Sequence, residues 1–312
     1  MCFLLNLVTG GAGFIGANLI YKLIGLGEDV ICVDNLSTGQ MSNLDQVINN
    51  PRFAFINHDL TNPLEINIDK IWHLACPASP KKYQEDPIQT SKTCFLGTIN
   101  MLELARKNNA RFLFTSSSEV YGNPKEYPQS ESYLGACNTI GKRSCYTEGK
   151  RIAESLCFDY YRKYDLDVKV ARIFNTYGPR LDKNDGRLIS NLIMQAISDH
   201  ELTIYGDGSQ TRSFCYIDDL IDGLIKLMNF KETLLLNLGS QNEIKVIEIA
   251  NLVIDLVNSN SNIINLPLPE DDPQRRNPNI NLAISKLKWY PNISIEEGLK
   301  KTISYLKRNM DT

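Results

Sequence analysis

Six apolar runs of strand length alternate with stretches of helical periodicity over the first part of the chain. The apolar runs cover residues 3–8, 29–34, 53–57, 70–75, 111–116 and 168–174. Helical periodicity appears between them, at residues 14–25, 88–107 and 146–164. Nearly continuous apolar strands separated by helices are typical of a parallel sheet covered on both faces. The sequence therefore predicts an α/β fold with a Rossmann-type, doubly wound parallel sheet.

The pattern changes after Asn175, where loops with Gly, Pro and Arg and shorter mixed elements follow. A length of 312 residues fits two domains, or one large α/β unit with an appendage. We therefore predict a larger domain over residues 1–175 and a smaller C-terminal substrate-binding lobe over residues 176–312. Part of the later chain is expected to return to the larger domain.

Composition argues against several classes of protein. The formal net charge of −3 gives no basic footprint for nucleic acid. The 8 cysteines contain no CxxC pair, which favours reduced thiols in the cytoplasm over a disulfide or zinc framework. No apolar run approaches the roughly 18 residues that span a membrane, and the first residues do not resemble a signal peptide. His58, His73 and His200 share no spacing, so no metal site is expected.

A glycine-rich loop joins the first predicted strand to the first predicted helix. In the segment VTGGAGFIG, Gly11, Gly13 and Gly16 fit the pattern GxGxxG, and Gly10 precedes them. Glycines let the backbone approach a pyrophosphate at the helix N-terminus, where free N–H groups point outward. The second strand ends in Asp34, whose carboxylate can bind the adenosine ribose hydroxyls and repel a 2′-phosphate. The motif favours NAD over NADP; the alternative is a glycine turn of structural use only.

A tyrosine and a lysine lie four residues apart in the segment CYTEGK. On a helix, Tyr146 and Lys150 share one face, and a lysine ammonium beside a phenol is expected to lower the pKa of the phenol. Taken alone, Tyr-x-x-x-Lys is common on surface helices. Here a predicted strand ends upstream in TSSSE, where Ser117 can supply a hydroxyl to the same substrate oxygen and Glu119 a carboxylate. Together these residues predict a proton-transfer site.

The motifs TGGAGFIG, TSSSEVYG and YTEGK together resemble the extended short-chain dehydrogenase/reductase family of sugar-nucleotide enzymes. Further blocks run in order across nearly the whole chain and are similar to the UDP-glucuronate decarboxylases of that family. These blocks are NHDL, HLACPASP, SKTCFLGTINML, ARIFNTYGPR, NDGR, YGDGSQTRSFCYIDDL and DDPQRRNP. Two positions depart from the pattern. Ser117 stands where threonine is usual, which keeps the hydroxyl, and Cys94 stands where asparagine is usual.

The resemblance implies NAD as the cofactor and a UDP-sugar as the substrate. The residues implied to bind NAD are Gly10, Gly11, Gly13, Phe14, Ile15, Gly16, Asp34, Asn35, Thr38, Gly39, Asp59, Leu60, Leu74, Lys150, Thr176 and Arg187. The residues implied to bind UDP-glucuronate or UDP-xylose are Pro80, Tyr83, Lys92, Asn175, Arg180, Arg187, Tyr205, Gln210, Arg212 and Arg276. Arginines are expected there because the substrate carries a diphosphate and a carboxylate.

The resemblance also implies a reaction. NAD accepts a hydride from C4 of the glucuronate ring while Tyr146 takes the hydroxyl proton, the 4-keto acid loses CO2, and re-reduction gives UDP-xylose. Tyr146 and Ser117 are implied to stabilise the enolate oxygen, and Glu119 to handle the proton at C5. In the segment DDPQRRNPNI, Arg276 is expected to orient the sugar ring and help protonate C5, while Arg275 points the other way.

Two other interpretations compete with the decarboxylase. The first is a UDP-sugar 4-epimerase or a nucleotide-sugar 4,6-dehydratase on the same scaffold. The segment RRNP after DDPQ argues against both of these enzymes. So does Ser118-Glu119, which stands where a dehydratase has an Asp-Glu pair. The second is a non-enzymatic NAD-sensing protein, which would be expected to lose Tyr146 or Lys150. The resemblance further implies a homodimer, formed by the helices near 88–107 and 146–164 as a four-helix bundle.

Overall fold

The structure, a computed structural model, describes residues 4–267 and 275–309. Residues 271–274 of the segment DDPQRRNPNI and Cys2 lie outside the described residues. Across the described ranges, the strands are β1 (Leu5–Thr9), β2 (Asp29–Asp34), β3 (Phe53–Asn57), β4 (Lys70–His73), β5 (Arg111–Ser117), β6 (Val168–Ile173), β7 (Thr176–Tyr177), β8 (Leu202–Tyr205), β9 (Thr211–Ser213), β10 (Cys215–Tyr216), β11 (Leu234–Leu238), β12 (Glu243–Lys245) and β13 (Ile263–Leu266). The α-helices are α1 (Phe14–Gly25), α2 (Pro80–Glu85), α3 (Pro87–Lys92), α4 (Thr98–Asn108), α5 (Ser144–Tyr164), α6 (Leu188–Ile197), α7 (Ile217–Met228), α8 (Val246–Val257), α9 (Asn281–Leu287) and α10 (Ile295–Arg308).

Seven strands of the described chain form one sheet in the order β11-β6-β5-β4-β1-β2-β3. All of its strand pairs are parallel. The six strands predicted from the apolar runs all lie in this sheet, so the predicted doubly wound parallel sheet is confirmed. The seventh, β11, comes from the later part of the chain and pairs with β6. The strand order reverses between β1 and β4, where such sheets open a crevice beyond their carboxyl ends.

Helices cover both faces of the sheet. Along β1, Leu7 and Val8 are both fully buried but belong to different hydrophobic clusters, and the same holds for Phe112 and Leu113 in β5. Residues of α1, α6 and α7 fill the cluster that contains Val8, and residues of α4 and α5 fill the other. Because successive side chains alternate across a strand, a sheet covered on both faces requires strands that are apolar throughout.

The region predicted as helical over 88–107 consists of three consecutive pieces. The helix α3 ends at Lys92, a π-helical turn covers Thr93–Gly97, and α4 begins at Thr98. π turns inside helices are frequent at functional sites. The helix predicted over 146–164 is α5, which begins at Ser144.

The chain after β6 also forms three two-stranded sheets. β7 pairs with β10 and β8 with β13 in parallel, and β9 pairs with β12 in antiparallel orientation. Within residues 4–267 and 275–309, no helix is both long enough and apolar enough to cross a membrane. The seven cysteines of the same ranges are free thiols.

Candidate active site

A cavity of about 1260 Å³ opens at the carboxyl ends of the central strands. Its volume exceeds the roughly 300–1,000 Å³ of a typical small-molecule site, so it has room for two ligands side by side. Most of the residues predicted from the sequence line it: Gly10, Gly13, Phe14, Ile15, Gly16, Asp34, Asn35, Thr38, Gly39, Asp59, Leu60, Leu74, Pro80, Ser117, Glu119, Tyr146, Lys150, Asn175, Thr176, Arg180, Arg187, Tyr205, Gln210, Arg212 and Arg276.

The glycine loop leaves the N-terminus of α1 open to the cavity. Gly13 is the N-cap of α1, and no side chain caps the helix. A Cβ on Gly16 would lie 2.6 Å from the Cα of Gly11, so only glycine allows the loop to close this tightly. The uncapped N–H groups of the first turn and the positive end of the helix dipole favour an anionic group here. The loop therefore fits the pyrophosphate of a dinucleotide.

Gly11 lies behind the loop and does not line the cavity. A Cβ at this position would lie 2.5 Å from the Sγ of Cys32 and 2.7 Å from the Cδ1 of Ile20. Gly11 therefore serves helix–strand packing, which is one of the tasks of glycines in such loops.

Asp34 lies at the end of β2 and is 8% exposed. Its Oδ2 accepts a hydrogen bond from the backbone N–H of Ala12 at 3.0 Å, and its Oδ1 accepts one from that of Leu36 at 2.8 Å. Burial raises the pKa of Asp34 above its usual value, although both N–H donors act to lower it. Each carboxylate oxygen keeps a second lone pair, so the group can still accept hydrogen bonds from two ribose hydroxyls.

Tyr146, Lys150 and Ser117 meet near the middle of the cavity. Tyr146 is 5% exposed, and its ring stacks on that of Tyr83 with centroids 5.0 Å apart and planes inclined by 8°. Lys150 is 3% exposed and its Nζ lies 5.7 Å from the centroid of the Tyr146 ring. The Oγ of Ser117 accepts a hydrogen bond from the backbone N–H of Glu119 at 3.2 Å, which leaves the Ser117 hydroxyl proton for another acceptor. The predicted proton-transfer residues are thus brought together.

The expected lowering of the pKa of Tyr146 by Lys150 is wrong for this structure. Burial raises the pKa of Tyr146 above its usual value, the Cys76 thiol acts in the same direction, and a hydrogen bond with Ser117 opposes them. Lys150 donates instead to the carbonyl oxygen of Thr115 at 2.8 Å. Burial is the largest influence on the pKa of Tyr146, because removing a phenolate from water costs more free energy than its neighbours return.

Glu119 is held between two arginines on the cavity wall. Its Oε1 accepts a hydrogen bond from Arg143 Nη2 at 2.7 Å and another from Arg276 Nη1, which also contacts the Oγ of Ser118 at 3.4 Å. Burial alone would raise the pKa of Glu119. The charge and the hydrogen bond of Arg276, and after them those of Arg143, lower this pKa below its usual value. The side chains of Arg276 and Glu119 are only 9% and 14% exposed.

The two adjacent arginines of RRNP point in different directions, as the sequence predicted. Arg276 lines the cavity, and its buried Nε has no hydrogen-bond partner among the described residues. Arg275 is exposed, donates from Nε to Glu243 Oε1 at 2.8 Å, and lies over the ring of Tyr127. Of the two, Arg276 is the one placed to meet a ligand in the cavity.

The predicted substrate residues divide into two groups. The first group, Arg187, Tyr205, Gln210 and Arg212, lines the cavity. Arg180 also lines the cavity, but its guanidinium donates to Asn18 Oδ1 at 3.0 Å and lies 3.9 Å from the centroid of the Tyr21 ring. These partners belong to α1, so Arg180 ties the loop after β7 to that helix.

Two predicted substrate residues do not line the cavity. Tyr83 is 1% exposed and contacts the site through its stacking on Tyr146 and through Arg143. Lys92 is exposed at the end of α3. The neighbouring Thr90 and Cys94 are buried, and the helical period turns a residue between them towards solvent. The geometry therefore gives no support to a substrate contact from Lys92.

Sequence reasoning missed Arg143, which lines the cavity and binds Glu119. It lies three residues before Tyr146, just before the start of α5. The available signal was a basic residue within one helical turn of a predicted catalytic tyrosine. The partner of that residue, Glu119, is known only from the fold.

Comparisons with known proteins agree with this site. The sequence model of the NAD dependent epimerase/dehydratase family matches residues 6–239. The chain is 50% identical over 305 residues to UDP-glucuronic acid decarboxylase 1 of Danio rerio, which covers 98% of this chain and 73% of the relative. It is 49% identical over 294 residues to UDP-glucuronic acid decarboxylase 3 of Arabidopsis thaliana, which covers 94% of this chain and 86% of the relative.

Among solved structures, the fold is similar to that of UDP-glucuronic acid 4-epimerase from Bacillus cereus in complex with UDP-glucuronic acid and NAD. The TM-score is 0.88 at 28% identity, over 98% of this chain and 99% of that one. It is also similar to DesIV, the dTDP-glucose 4,6-dehydratase of Streptomyces venezuelae, with a TM-score of 0.89 at 25% identity over 98% of each chain. The resemblance noted in the sequence is confirmed: the chain belongs to the NAD dependent epimerase/dehydratase family, and its curated relatives there are UDP-glucuronic acid decarboxylases.

Proposed function

We propose that this protein is an NAD-dependent decarboxylase that converts UDP-glucuronate to UDP-xylose and CO2. The observation that carries the proposal is the group of Glu119, Arg143 and Arg276 beside Tyr146. A carboxylate held by two guanidinium groups next to a proton-transfer tyrosine suits a substrate that must be oxidised at C4 and also hold an acidic group at C5. The relatives named UDP-glucuronic acid decarboxylase support the same activity.

We infer that NAD binds along the glycine loop. The uncapped N-terminus of α1 would hold its pyrophosphate, and Asp34 its adenosine ribose. Bound NAD supplies a positively charged ring that accepts the C4 hydride and gives it back. Lys150, at the base of the cavity, would hold the nicotinamide ribose. Thr176 and Arg187, which also line the cavity, are proposed as further contacts.

The oxidation step needs a base for the C4 hydroxyl, and we assign this role to Tyr146. Positive charge close to a buried phenol favours the phenolate, so the charge of Lys150, together with that of bound oxidised NAD, would make Tyr146 competent as a base. The Ser117 hydroxyl forms a hydrogen bond with Tyr146; when the substrate binds, it would donate to the substrate C4 oxygen instead. The proton leaves the C4 hydroxyl for Tyr146 as the C4–H bond breaks.

The loss of CO2 follows from the position of the new ketone. The C4 ketone is β to the C6 carboxylate, so the electrons of the breaking C5–C6 bond move into an enolate at C4. Tyr146, now protonated, and Ser117 donate hydrogen bonds to that enolate oxygen. Because Arg276 and Arg143 keep Glu119 ionised, we infer that Glu119 orients a water that protonates C5 rather than donating the proton itself.

Arg276 is assigned to positioning the sugar acid. Its Nη1 is committed to Glu119, whereas its buried Nε has no partner in the described chain. A buried donor without a partner is costly, and a substrate oxygen would satisfy it. Decarboxylation requires the C5–C6 bond to stand roughly perpendicular to the ketone plane, and a guanidinium can fix that geometry. A tighter grip on the carboxylate would stabilise the ground state and slow the step.

We also propose the wider organisation of the protein. Residues 1–175 would bind NAD and residues 176–312 mainly the UDP-sugar, with Tyr205, Gln210 and Arg212 at its nucleotide end. Reduced thiols support the proposed cytoplasmic location.

A homodimer would form through residues 88–107 and the helix α5. This surface carries large apolar side chains that are 38–70% exposed: Ile88, Phe95, Leu96, Ile152, Tyr161 and Tyr164. Sedimentation of wild type and of Ile152→Asp tests it. The wild type should sediment as a dimer and the variant as a monomer. A monomeric wild type would contradict the proposal.

The activity is tested by incubating the protein with UDP-glucuronate and NAD and following CO2 together with the nucleotide-sugar products. The proposal predicts CO2 and UDP-xylose in equal amounts. Formation of UDP-galacturonate without CO2 would identify a 4-epimerase. Formation of a 4-keto-6-deoxy sugar from a UDP-hexose would identify a dehydratase. Tight NAD binding with no turnover of any of these substrates would indicate a non-enzymatic NAD-binding protein.

A further inference from the structure

The geometry points to an oxidation site within the cavity: Cys76 and Cys94 form a dithiol that a hydroperoxide converts to a disulfide, and this disulfide stops turnover. The chemistry concerns the thiols alone, whereas its effect on turnover rests on the proposed function.

The two sulfurs are already in contact. Cys76 Sγ lies 3.2 Å from Cys94 Sγ. Cys76 follows β4 in a loop that lines the cavity and is half-buried, whereas Cys94 lies in the π-helical turn and is 2% exposed. The residues are 18 positions apart in the sequence, so two separate elements converge on this contact. A small oxidant in the cavity would meet Cys76 first, with Cys94 directly behind it.

The surroundings favour a thiolate in this pair. The hydrogen bond with Cys76 lowers the pKa of Cys94, burial opposes it, and the positive charge of Lys150 acts with the hydrogen bond. The same hydrogen bond, together with burial, raises the pKa of Cys76, so the thiolate charge rests on Cys94, which can accept the proton of Cys76 across the contact. Oxidation is chosen over metal binding because the described residues hold no group of three or more His, Cys, Asp or Glu side chains that could hold a metal ion.

The redox step is balanced as follows. Cys76 passes its proton to the Cys94 thiolate as the Cys76 sulfur attacks one oxygen of the hydroperoxide; the O–O bond breaks, a sulfenic acid forms, and the leaving oxygen takes a proton. Cys94 then attacks the sulfur of that sulfenic acid, the S–S bond forms, and water leaves. Two electrons pass from the thiols to the peroxide. With hydrogen peroxide, the products are one disulfide and two waters.

Formation of the bond moves the wall of the proposed active site. A disulfide is about 2.05 Å long, so the sulfurs must approach by about 1.2 Å. Cys94 packs tightly on α5, because a Cβ at Gly149 would lie 2.8 Å from both its Cβ and its Sγ. Gly149 precedes Lys150 and follows Tyr146 by less than one helical turn. A misplacement of about 1 Å at a reacting group can cost up to ~100-fold in rate, so we expect at least a ~10-fold loss.

The experiment compares wild type, Cys94→Ser and the matched control Cys145→Ser. Cys145 is the remaining thiol near the pair, and its Sγ contacts the carbonyl oxygen of Tyr83 at 3.5 Å. Each protein is reduced, freed of reductant, and titrated with hydrogen peroxide. Peptide mapping measures the Cys76–Cys94 cross-link, dimedone traps sulfenic acid, and CO2 release from UDP-glucuronate measures turnover before and after dithiothreitol.

We expect wild type and Cys145→Ser to lose turnover in proportion to the cross-link and to regain it with dithiothreitol. Cys94→Ser should form no cross-link and carry a trapped sulfenic acid at Cys76. A wild type without the cross-link, or a cross-linked protein that turns over like the reduced one, would overturn the inference. If the reduced wild type releases no CO2, the proposed function fails, whereas the cross-link still decides the dithiol chemistry.

Discussion

Replacing Arg276 by alanine separates the chemistry from nucleotide binding more cleanly than other changes in the cavity. The variant removes the hydrogen bond to Glu119 and the buried Nε, but Arg143 still binds Glu119 at 2.7 Å. The loss is therefore that of one charged hydrogen bond, about 1.5–3 kcal/mol of stability. A buried carboxylate left without a partner would cost about 3–5 kcal/mol. The variant should fold.

The same substitution should strongly reduce catalysis. We expect CO2 release to fall at least ~100-fold, which corresponds to about 2.7 kcal/mol of transition-state stabilisation. Arg276 is the foremost of the groups that lower the pKa of Glu119. Its removal should therefore raise that pKa and move the acid limb of the pH–rate profile to higher pH.

The matched control is Arg275→Ala, because Arg275 pairs with Glu243 outside the cavity. The assay measures CO2 release from UDP-glucuronate and, by calorimetry, the affinity for UDP, which lacks the sugar acid. Arg276→Ala should bind UDP nearly as wild type does, and Arg275→Ala should match wild type in both measurements. Wild-type CO2 release by Arg276→Ala, or an equal loss of UDP affinity, would refute the role assigned to this arginine.

Three further predictions follow from the same geometry. Asp34→Ala should weaken NAD binding by about 1–3 kcal/mol and reduce discrimination against NADP; equal turnover of wild type with both cofactors would contradict the role of Asp34. Tyr146→Phe should keep the fold and NAD affinity but lower the rate at least ~100-fold, with no rapid rise in reduced-cofactor absorbance on mixing; a normal rise would exclude Tyr146 as the base. The hydrogen bond from Arg275 lowers the pKa of Glu243 from 4.5 to about 2, so Glu243 stabilises the fold above pH 4.5 and this contribution is lost as the pH falls through about 2. Melting temperatures of Glu243→Gln should therefore fall less steeply than those of wild type over that range, and parallel curves would argue against the ion pair.

The parts of the fold that follow from local periodicity could be predicted from the sequence. The β2 segment DVICVD is apolar on both faces, and such strands occur where helices cover both sides of a sheet. The glycine loop was equally predictable, because its tight closure tolerates no Cβ at Gly16. The interruption of 88–107 by a π turn was not predictable, since a single inserted residue leaves the hydrophobic pattern almost unchanged.

The electrostatics of the site depended on contacts that only the fold creates. Glu119 and Arg276 are 157 residues apart in the sequence, so no local pattern predicts their pairing. The tyrosine and lysine spacing correctly placed Tyr146 and Lys150 on one helix, yet the predicted direction of the pKa shift was wrong. Spacing reveals a neighbouring charge but not the degree of burial, and burial dominates for Tyr146.

The central claim is that one site oxidises C4, releases C6 as CO2 and returns the hydride to the same sugar. The most direct test is carbon NMR of UDP-glucuronate labelled with ¹³C at C6, incubated with the protein and a small fraction of an equivalent of NAD. The account predicts that the label appears as CO2 and bicarbonate, in step with unlabelled UDP-xylose, over many turnovers per NAD. Label retained in UDP-galacturonate, or CO2 release that stops after one turnover per NAD without UDP-xylose, would contradict it.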